Sequence, residues 1–291
     1  MVRAMTQNPS LTDRTALLRN RTRAAKGFAS FLHESAAEEI NDRLAMVNRT
    51  FTDMALVTGH DGFWRQNFDT AQIIADEDAL NLAPQAHDLV VHAMALHWSD
   101  DPVGQLVQAR RALRPDGLFL AVFFGGQTLS ELRAALAQAE SEVTGGLSPR
   151  VAPMGEIRDL GGLLQRAGFA LPVADSVPLT VTYKSALHLM HDLRAMGENN
   201  ALTSRLRRPT RRAVFTRAAE IYAQHFAAED ATGAVNTIDA AQTKRIKATF
   251  ELTVLTGWAP DDSQQKPLRP GSASQRLADA LGTDETPLTP L

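Results

Sequence analysis

Apolar positions cluster most tightly between Asp88 and Gly126. Asp88 to His92 is a short apolar run, and Ser99-Asp100-Asp101-Pro102 is a turn signal. Val103, Leu106, Val107, Ala109 and Leu113 then recur at helical spacing. Arg114-Pro115-Asp116-Gly117 predicts a tight turn that stops this helix. Leu118 to Phe124 is continuously apolar, as expected of a central strand buried on both faces. Strand, helix, turn and strand in that order predict a parallel α/β unit.

The same patterning extends outward. Thr12-Asp13-Arg14 opens a helix with Thr12 as its expected cap. Phe31 to Met46 predicts an amphipathic helix and Phe51 to Val57 the first strand. About thirty residues separate that strand from Asp88, room for one strand-helix-strand unit, with its strand in 71–76. Downstream, helices are expected over Leu129–Val143, over Glu156–Ala167 ending at Gly168, over Ser185–Met196 ending at Gly197, and over Thr210–Phe226. Asn200–Pro209 reads as a basic loop or helix entry. Pro172–Tyr183, with alternating Val177, Leu179, Val181 and Tyr183, predicts an edge strand, and Thr249–Thr256 a last strand. The expected organisation is a disordered 1–11, a single domain over 12–260 and a flexible tail over 261–291. Within the domain the core spans about 30–185, a mainly helical part about 185–248, and the last strand about 249–256.

Composition narrows the functional classes. The 291 residues carry 30 basic and 33 acidic side chains, a formal charge of −3, so nothing points to nucleic acid. The absence of cysteine excludes thiol nucleophiles, thiolate metal sites and disulfides. No apolar run is long enough to cross a bilayer and no apolar leader is visible, which predicts a cytoplasmic protein. Arg14, Arg19, Arg21, Arg23 and Lys26 make the first helix basic, either as a solvated face or as a peripheral contact with an anionic partner or membrane surface.

The Asp88–Gly126 segment resembles strand 4, helix and strand 5 of class I S-adenosylmethionine (SAM) methyltransferases. In that family a D-L-V strand leads to a residue beside the cofactor, and L-R/K-P-D/G-G precedes the fifth strand. The run is similar to the methyltransferase-type assembly factors of respiratory complex I and, less closely, to malonyl-carrier-protein methyltransferases of biotin synthesis. Supporting motifs are Phe123-Phe124-Gly125-Gly126-Gln127-Thr128-Leu129-Ser130-Glu131-Leu132-Arg133, Gly145-Gly146-Leu147-Ser148-Pro149, Asp159-Leu160-Gly161 and Leu193-Arg194-Ala195-Met196-Gly197-Glu198-Asn199. The resemblance implies a Rossmann-like α/β sheet with helices on both faces, truncated around strand 2, and a mainly helical C-terminal part. It also implies SAM as cofactor and a protein substrate, a complex I subunit, with arginine hydroxylation as a chemistry of the mitochondrial relative. The alternatives are a non-enzymatic assembly chaperone and a methyltransferase for a carrier-bound carboxylate.

Residue by residue, the family's D/E-x-G-x-G-x-G turn falls on Val57-Thr58-Gly59-His60-Asp61-Gly62-Phe63. Gly59 keeps the first glycine, Val57 replaces the acid, and Asp61 and Phe63 replace the later glycines. Gly62 is a candidate for a positive φ, while Phe63 and Trp64 stand where the methionine moiety would lie. Asp76 either accepts ribose hydroxyls at a strand end or, with Glu77, belongs to an A-D-x-x-x-L segment flanking adenine. His92 is a further cofactor candidate. His97 is the catalytic candidate because histidine titrates near neutrality, with a structural histidine as the plainer alternative. Trp98, Phe124, Gly125, Gly126, Arg194 and Asn199 are expected to line the substrate mouth, and Thr128 to cap a helix. No residue spacing suggests a metal.

Overall fold

The computed structural model describes residues 10–228, 245–265, 279 and 281–283. Most of the expected disordered N-terminus and of the expected tail lie outside the described residues, as do residues 229–244 of the helical C-terminal part. The chain divides into two compact units, Met1–Pro260 and Asp261–Leu291.

Six strands are present among the described residues: β1 (Met54–Thr58), β2 (Gln72–Ala75), β3 (His87–Ala93), β4 (Leu113–Phe124), β5 (Ala170–Tyr183) and β6 (Ile246–Trp258). They form one sheet in the order β2-β1-β3-β4-β6-β5. β2, β1, β3 and β4 run parallel, whereas β6 inserts antiparallel between β4 and β5. The three apolar runs expected at the centre are indeed neighbours. A single short strand occupies the interval after β1, in register Leu56↔Ile73. Chain length explains this, because a second parallel strand would need another crossover.

Among the described residues eight α-helices accompany the sheet: α1 (Arg14–Ala24), α2 (Phe31–Met46), α3 (Asp61–Asn67), α4 (Pro102–Ala112), α5 (Ser130–Thr144), α6 (Ile157–Ala167), α7 (Ala186–Ala195) and α8 (Arg212–His225). Successive β3 side chains point to opposite faces. Leu89 and Val91 join the apolar layer of α2, α5, α7 and α8, while Val90 joins that of α4 and α6. Both faces are therefore covered, which accounts for the unbroken apolar character of β3.

Two local expectations are corrected. Arg114–Gly117 is not a free turn. β4 already begins at Leu113, opposite His87, and the register shifts before Leu89 meets Leu118. Asp116 absorbs the irregularity at φ 59°, its N–H donating to Ala259 O at 3.2 Å. The neighbouring chain thus holds these residues in the sheet as a bulge. Nor does Thr12 cap α1. Asp13 does, accepting from Ala16 N at 3.0 Å. Thr12 instead donates its hydroxyl to Trp98 O at 2.8 Å and its N–H to Asp100 at 2.9 Å, and it bridges Leu202. α1 is thereby fastened across the carboxyl ends of the parallel strands, where Ala16 and Leu17 pack with Trp98, Ala201 and Leu202.

Asp88 anchors the opposite end of β3. Its buried carboxylate accepts from Thr52 N at 2.7 Å and Asp53 N at 3.0 Å. Removing it leaves two backbone donors unmet, so Asp88→Ala is expected to lower the unfolding free energy by about 2–3 kcal/mol in a urea titration.

Candidate functional site

At the carboxyl edge of the sheet, β1 is followed by Gly59 and β2 by Asp76. The two strands are paired through Thr58↔Ala75, so these ends are adjacent. α1 crosses above them and projects Arg21 inward. The Arg21 guanidinium lies so close over Gly59 that a Cβ there would be 2.1 Å from Cζ. Gly197, at φ +83°, faces the same arginine from the other side, where a Cβ would come within 3.2 Å of both Arg21 Cα and His60 Cε1. Arg21 Nη1 donates to both carboxylate oxygens of Asp76 at 2.9 Å. Arg14 adds a second guanidinium, reaching Asp76 Oδ1 at 3.3 Å and the Asp76 carbonyl at 2.7 Å. Burial acts to raise the Asp76 carboxyl, but the two arginines bring it below its ordinary value.

Beside this ion pair lies a group of buried histidines. His33 and His60 rings are 4.8 Å apart, and Trp64 donates its indole N–H to His33 Nδ1 at 3.1 Å. That bond places the His33 proton on Nε2, which has no partner among the described residues. Burial, reinforced by the Arg21 charge, lowers His60 to about 4. Burial, with His60 next, holds His33 well below its ordinary value. Both are neutral imidazoles near pH 7.

Glu198 marks the junction with a second space. Its Oε2 accepts from Trp98 Nε1 at 2.8 Å and meets His97 Nε2 at 3.2 Å, while Oε1 is unpartnered among the described residues. Burial acts to raise this carboxyl, but His97, and after it Arg21, lowers it, so Glu198 is ionised. Glu198 and Trp98 form part of the wall of a cavity of about 290 Å³, whose apolar lining includes Phe124, Met190, Phe215 and Phe250. A separate open cleft of about 570 Å³ runs over Gly59–Phe63, bordered by Arg21, Phe28 and His60.

The structure brings some expected residues together and disperses others. Trp98, Phe124 and Asn199 line the cavity. Gly125 and Gly126 do not, because Thr253 and Glu251 of β6 crowd them. Arg194 is exposed and is likewise not in the cavity lining. Thr128 caps no helix. Its hydroxyl bonds Glu251 of β6, and α5 begins after Leu129 at φ 56°. Gly59, Asp61 and Gly62 border the cleft, but Gly62 lies within α3 and lacks a positive φ. Asp61 pairs with Arg65 at the rim. Phe63 borders the cleft, whereas Trp64 is fully buried in the core and does not obstruct it.

Glu77 is exposed and contributes its carbonyl to Gln105 Nε2 at 3.0 Å. The Gln105 carbonyl oxygen then accepts from His92 Nε2 at 2.8 Å. His92 is therefore a buried strut between β3 and α4, and burial lowers it to about 4. No cluster of metal-ligating side chains occurs among the described residues. His33 left no sign in the sequence, which showed Arg21 only as one of five basic residues of the first helix and His60 only as a member of the turn. Glu198 was visible within the Leu193–Asn199 motif, whose residues read either as a helix C-terminus or as the substrate mouth, and the structure places it in the cavity wall.

Residues 39–121 match the family model of a methyltransferase domain. The fold is of the class I methyltransferase type. A Dictyostelium discoideum protein named arginine-hydroxylase NDUFAF5, mitochondrial, is 40% identical over 199 residues, covering 68% of this chain and 43% of the relative. The Homo sapiens protein of that name is 37% identical over 208 residues, covering 70% and 55%. A malonyl-[acyl-carrier protein] O-methyltransferase from Methylovorus sp. is 32% identical over 184 residues, covering 63% and 59%. The chain thus spans only 43% to 59% of the length of these relatives.

Two predictions follow from the buried polar groups. His60 and His92, each lowered to about 4, and His33, held well below its ordinary value, stay neutral in the fold while the unfolded chain protonates near 6.5. Their contribution to stability is complete above about pH 6.5 and is lost as pH falls toward 4. Urea midpoints measured at pH 7.5, 6, 5 and 4 should fall steadily across that interval. Separately, Gly59→Ala must displace the Arg21 guanidinium from its slot, and a loss of about 3–5 kcal/mol is expected in the same assay, since one partner of a buried ion pair is dislodged.

Proposed function

We propose that this chain is a SAM-dependent methyltransferase-type protein that acts on a protein substrate, a subunit of respiratory complex I, during assembly of that complex. The observation that carries the proposal is the arrangement of two spaces at one sheet edge. An open cleft over Gly59 adjoins the polar group of Arg21, His60 and Glu198, and the apolar cavity lies on the far side of Glu198. Open α/β sheets bind ligands at this edge. The cleft has the breadth for a SAM-sized ligand.

SAM, when bound, supplies an electrophilic methyl group. The chain's own part is orientation and exclusion of water. Trp98, Phe124 and Phe250 enclose the cavity. The ionised Glu198 suits a substrate side chain with an apolar stem and a positive end, in keeping with the arginine-hydroxylase name of the relatives. His97 acts through its bond to Glu198, holding that carboxylate in place. The same negative charge disfavours a carboxylate acceptor of the carrier-protein type. Non-enzymatic assembly is the second possibility, favoured by Val57 in place of the acid and by the arginine seated on Gly59. Cytoplasmic location belongs to the same proposal; among the described residues no helix is long and apolar enough to cross a membrane.

Complementation of a deletion strain separates these possibilities. Glu198→Gln and His97→Ala, expressed at wild-type levels, are expected to restore less than about a tenth of NADH:quinone activity, the scale of losing a charge-assisted contact. Mass spectrometry of the assembled complex should show a methyl-sized increment only with the wild-type gene. Full rescue by both variants would establish the non-enzymatic role instead.

A further inference from the structure

The cleft over Gly59 carries a charge pattern opposite to the one the glycine-rich turn usually has. Val57 removes the acid that would meet an ammonium group. In its place α1 delivers a guanidinium. Asp76 is matched by two arginines, Arg21 and Arg14, and the ionised Glu198 is a second carboxylate that feels the Arg21 charge without bonding to it. His60, which borders the same cleft, contributes no negative charge, and Asp61 at the rim is paired with Arg65.

We propose that Arg21 is a carboxylate receptor: a ligand in the cleft over Gly59–Phe63 is held by its carboxylate end on Arg21 Nε–H and Nη2–H. Arg21 is 5% exposed and uses only Nη1 on Asp76. Its Nε and Nη2 are buried and have no hydrogen-bond partner among the described residues. Those two N–H groups form one edge of the guanidinium, the fork that receives both oxygens of a carboxylate. Buried donors of a permanent cation are rarely left unmet in a native protein unless something else completes them. The slot is also built for this side chain. Gly59 and Gly197 flank it with no side chain of their own, and Asp76 fixes its far nitrogen. His60 Nε2, likewise unpartnered, stands beside it at the cleft wall.

The ligand class is an amino-acid-type carboxylate on an apolar or thioether body. The inference deepens the cofactor proposal above and rests on it, since SAM carries such an end. It concerns affinity and recognition, not the methyl-transfer step.

Calorimetry with the full chain tests it, using S-adenosylhomocysteine, its decarboxylated analogue and methionine as probes. Wild-type protein is expected to bind S-adenosylhomocysteine at least about tenfold more tightly than the decarboxylated analogue, the scale of a charge-assisted hydrogen bond. Arg21→Ala should abolish that difference while retaining the weak binding of the analogue. Arg21→Lys keeps the charge that Asp76 needs but lacks the fork, so it guards against simple unfolding and should lose most of the discrimination. Methionine binding by wild type and not by Arg21→Ala would support the carboxylate contact independently of the nucleoside. Equal affinity of wild type for S-adenosylhomocysteine and its decarboxylated analogue would overturn the role of Arg21 and leave the cofactor proposal standing. Binding of methionine alone, with neither nucleoside ligand bound, would sustain Arg21 and overturn SAM as the ligand. Binding of no probe by folded wild-type protein would overturn both.

Discussion

A buried ion pair between Arg21 and Asp76 holds the functional edge of this protein together. Neither charge is tolerable alone in that position, because an unpaired ion withdrawn from water is strongly destabilising. The pair therefore dictates its surroundings. Gly59 and Gly197 must be without side chains, α1 must lie across the strand ends, and Arg14 must supply the second guanidinium. Everything that borders the cleft is positioned relative to this one contact.

The consequences reach the cavity through backbone. Asp13 N–H donates to Ala201 O at 2.7 Å, Thr203 N–H donates to Leu11 O at 2.9 Å, and Asn20 donates to Asn199 O at 3.2 Å. These bonds tie α1 to the segment after α7 that carries Glu198 and Asn199. Glu198 in turn binds Trp98, whose carbonyl accepts from Thr12. A closed circuit of hydrogen bonds thus runs from the first helix through the Glu198 segment and the Trp98 turn and back.

The central sheet was legible in the sequence because its strands satisfy a one-dimensional rule. Residues 89–91 and 118–124 are apolar at every position, as burial on both faces requires, and the short interval before Asp88 leaves room for only one more strand. The edge strand too was visible, in the alternation from Val177 to Tyr183, though nothing in it told that the strand runs antiparallel to its neighbour. The site was less legible because its defining contacts are far apart in sequence. Nothing in the spacing of Arg14, Arg19, Arg21, Arg23 and Lys26 tells which of them turn inward. The structure leaves Arg19, Arg23 and Lys26 exposed and buries Arg21. The decision is made by Asp76, which lies fifty-five positions away. His92 misled for the converse reason. It occupies a promising place on a central strand, yet Gln105 on α4 fixes its ring beneath the surface. Gly125 and Gly126 similarly looked like a ligand turn, but their lack of side chains accommodates Thr253 and Glu251 of a strand that closes the sheet only at the end of the domain.

The tether between α1 and the Glu198 segment has an energetic corollary. Because they share hydrogen bonds, opening the cleft by lifting α1 also strains the wall of the cavity. A ligand that steadies Arg21 from the cleft side would steady Glu198 as well, and an occupant of the cavity would return the same free energy to the cleft, since coupling between two sites is reciprocal. If both spaces hold ligands, they are coupled, and whichever molecule arrives first prepares the protein for the second.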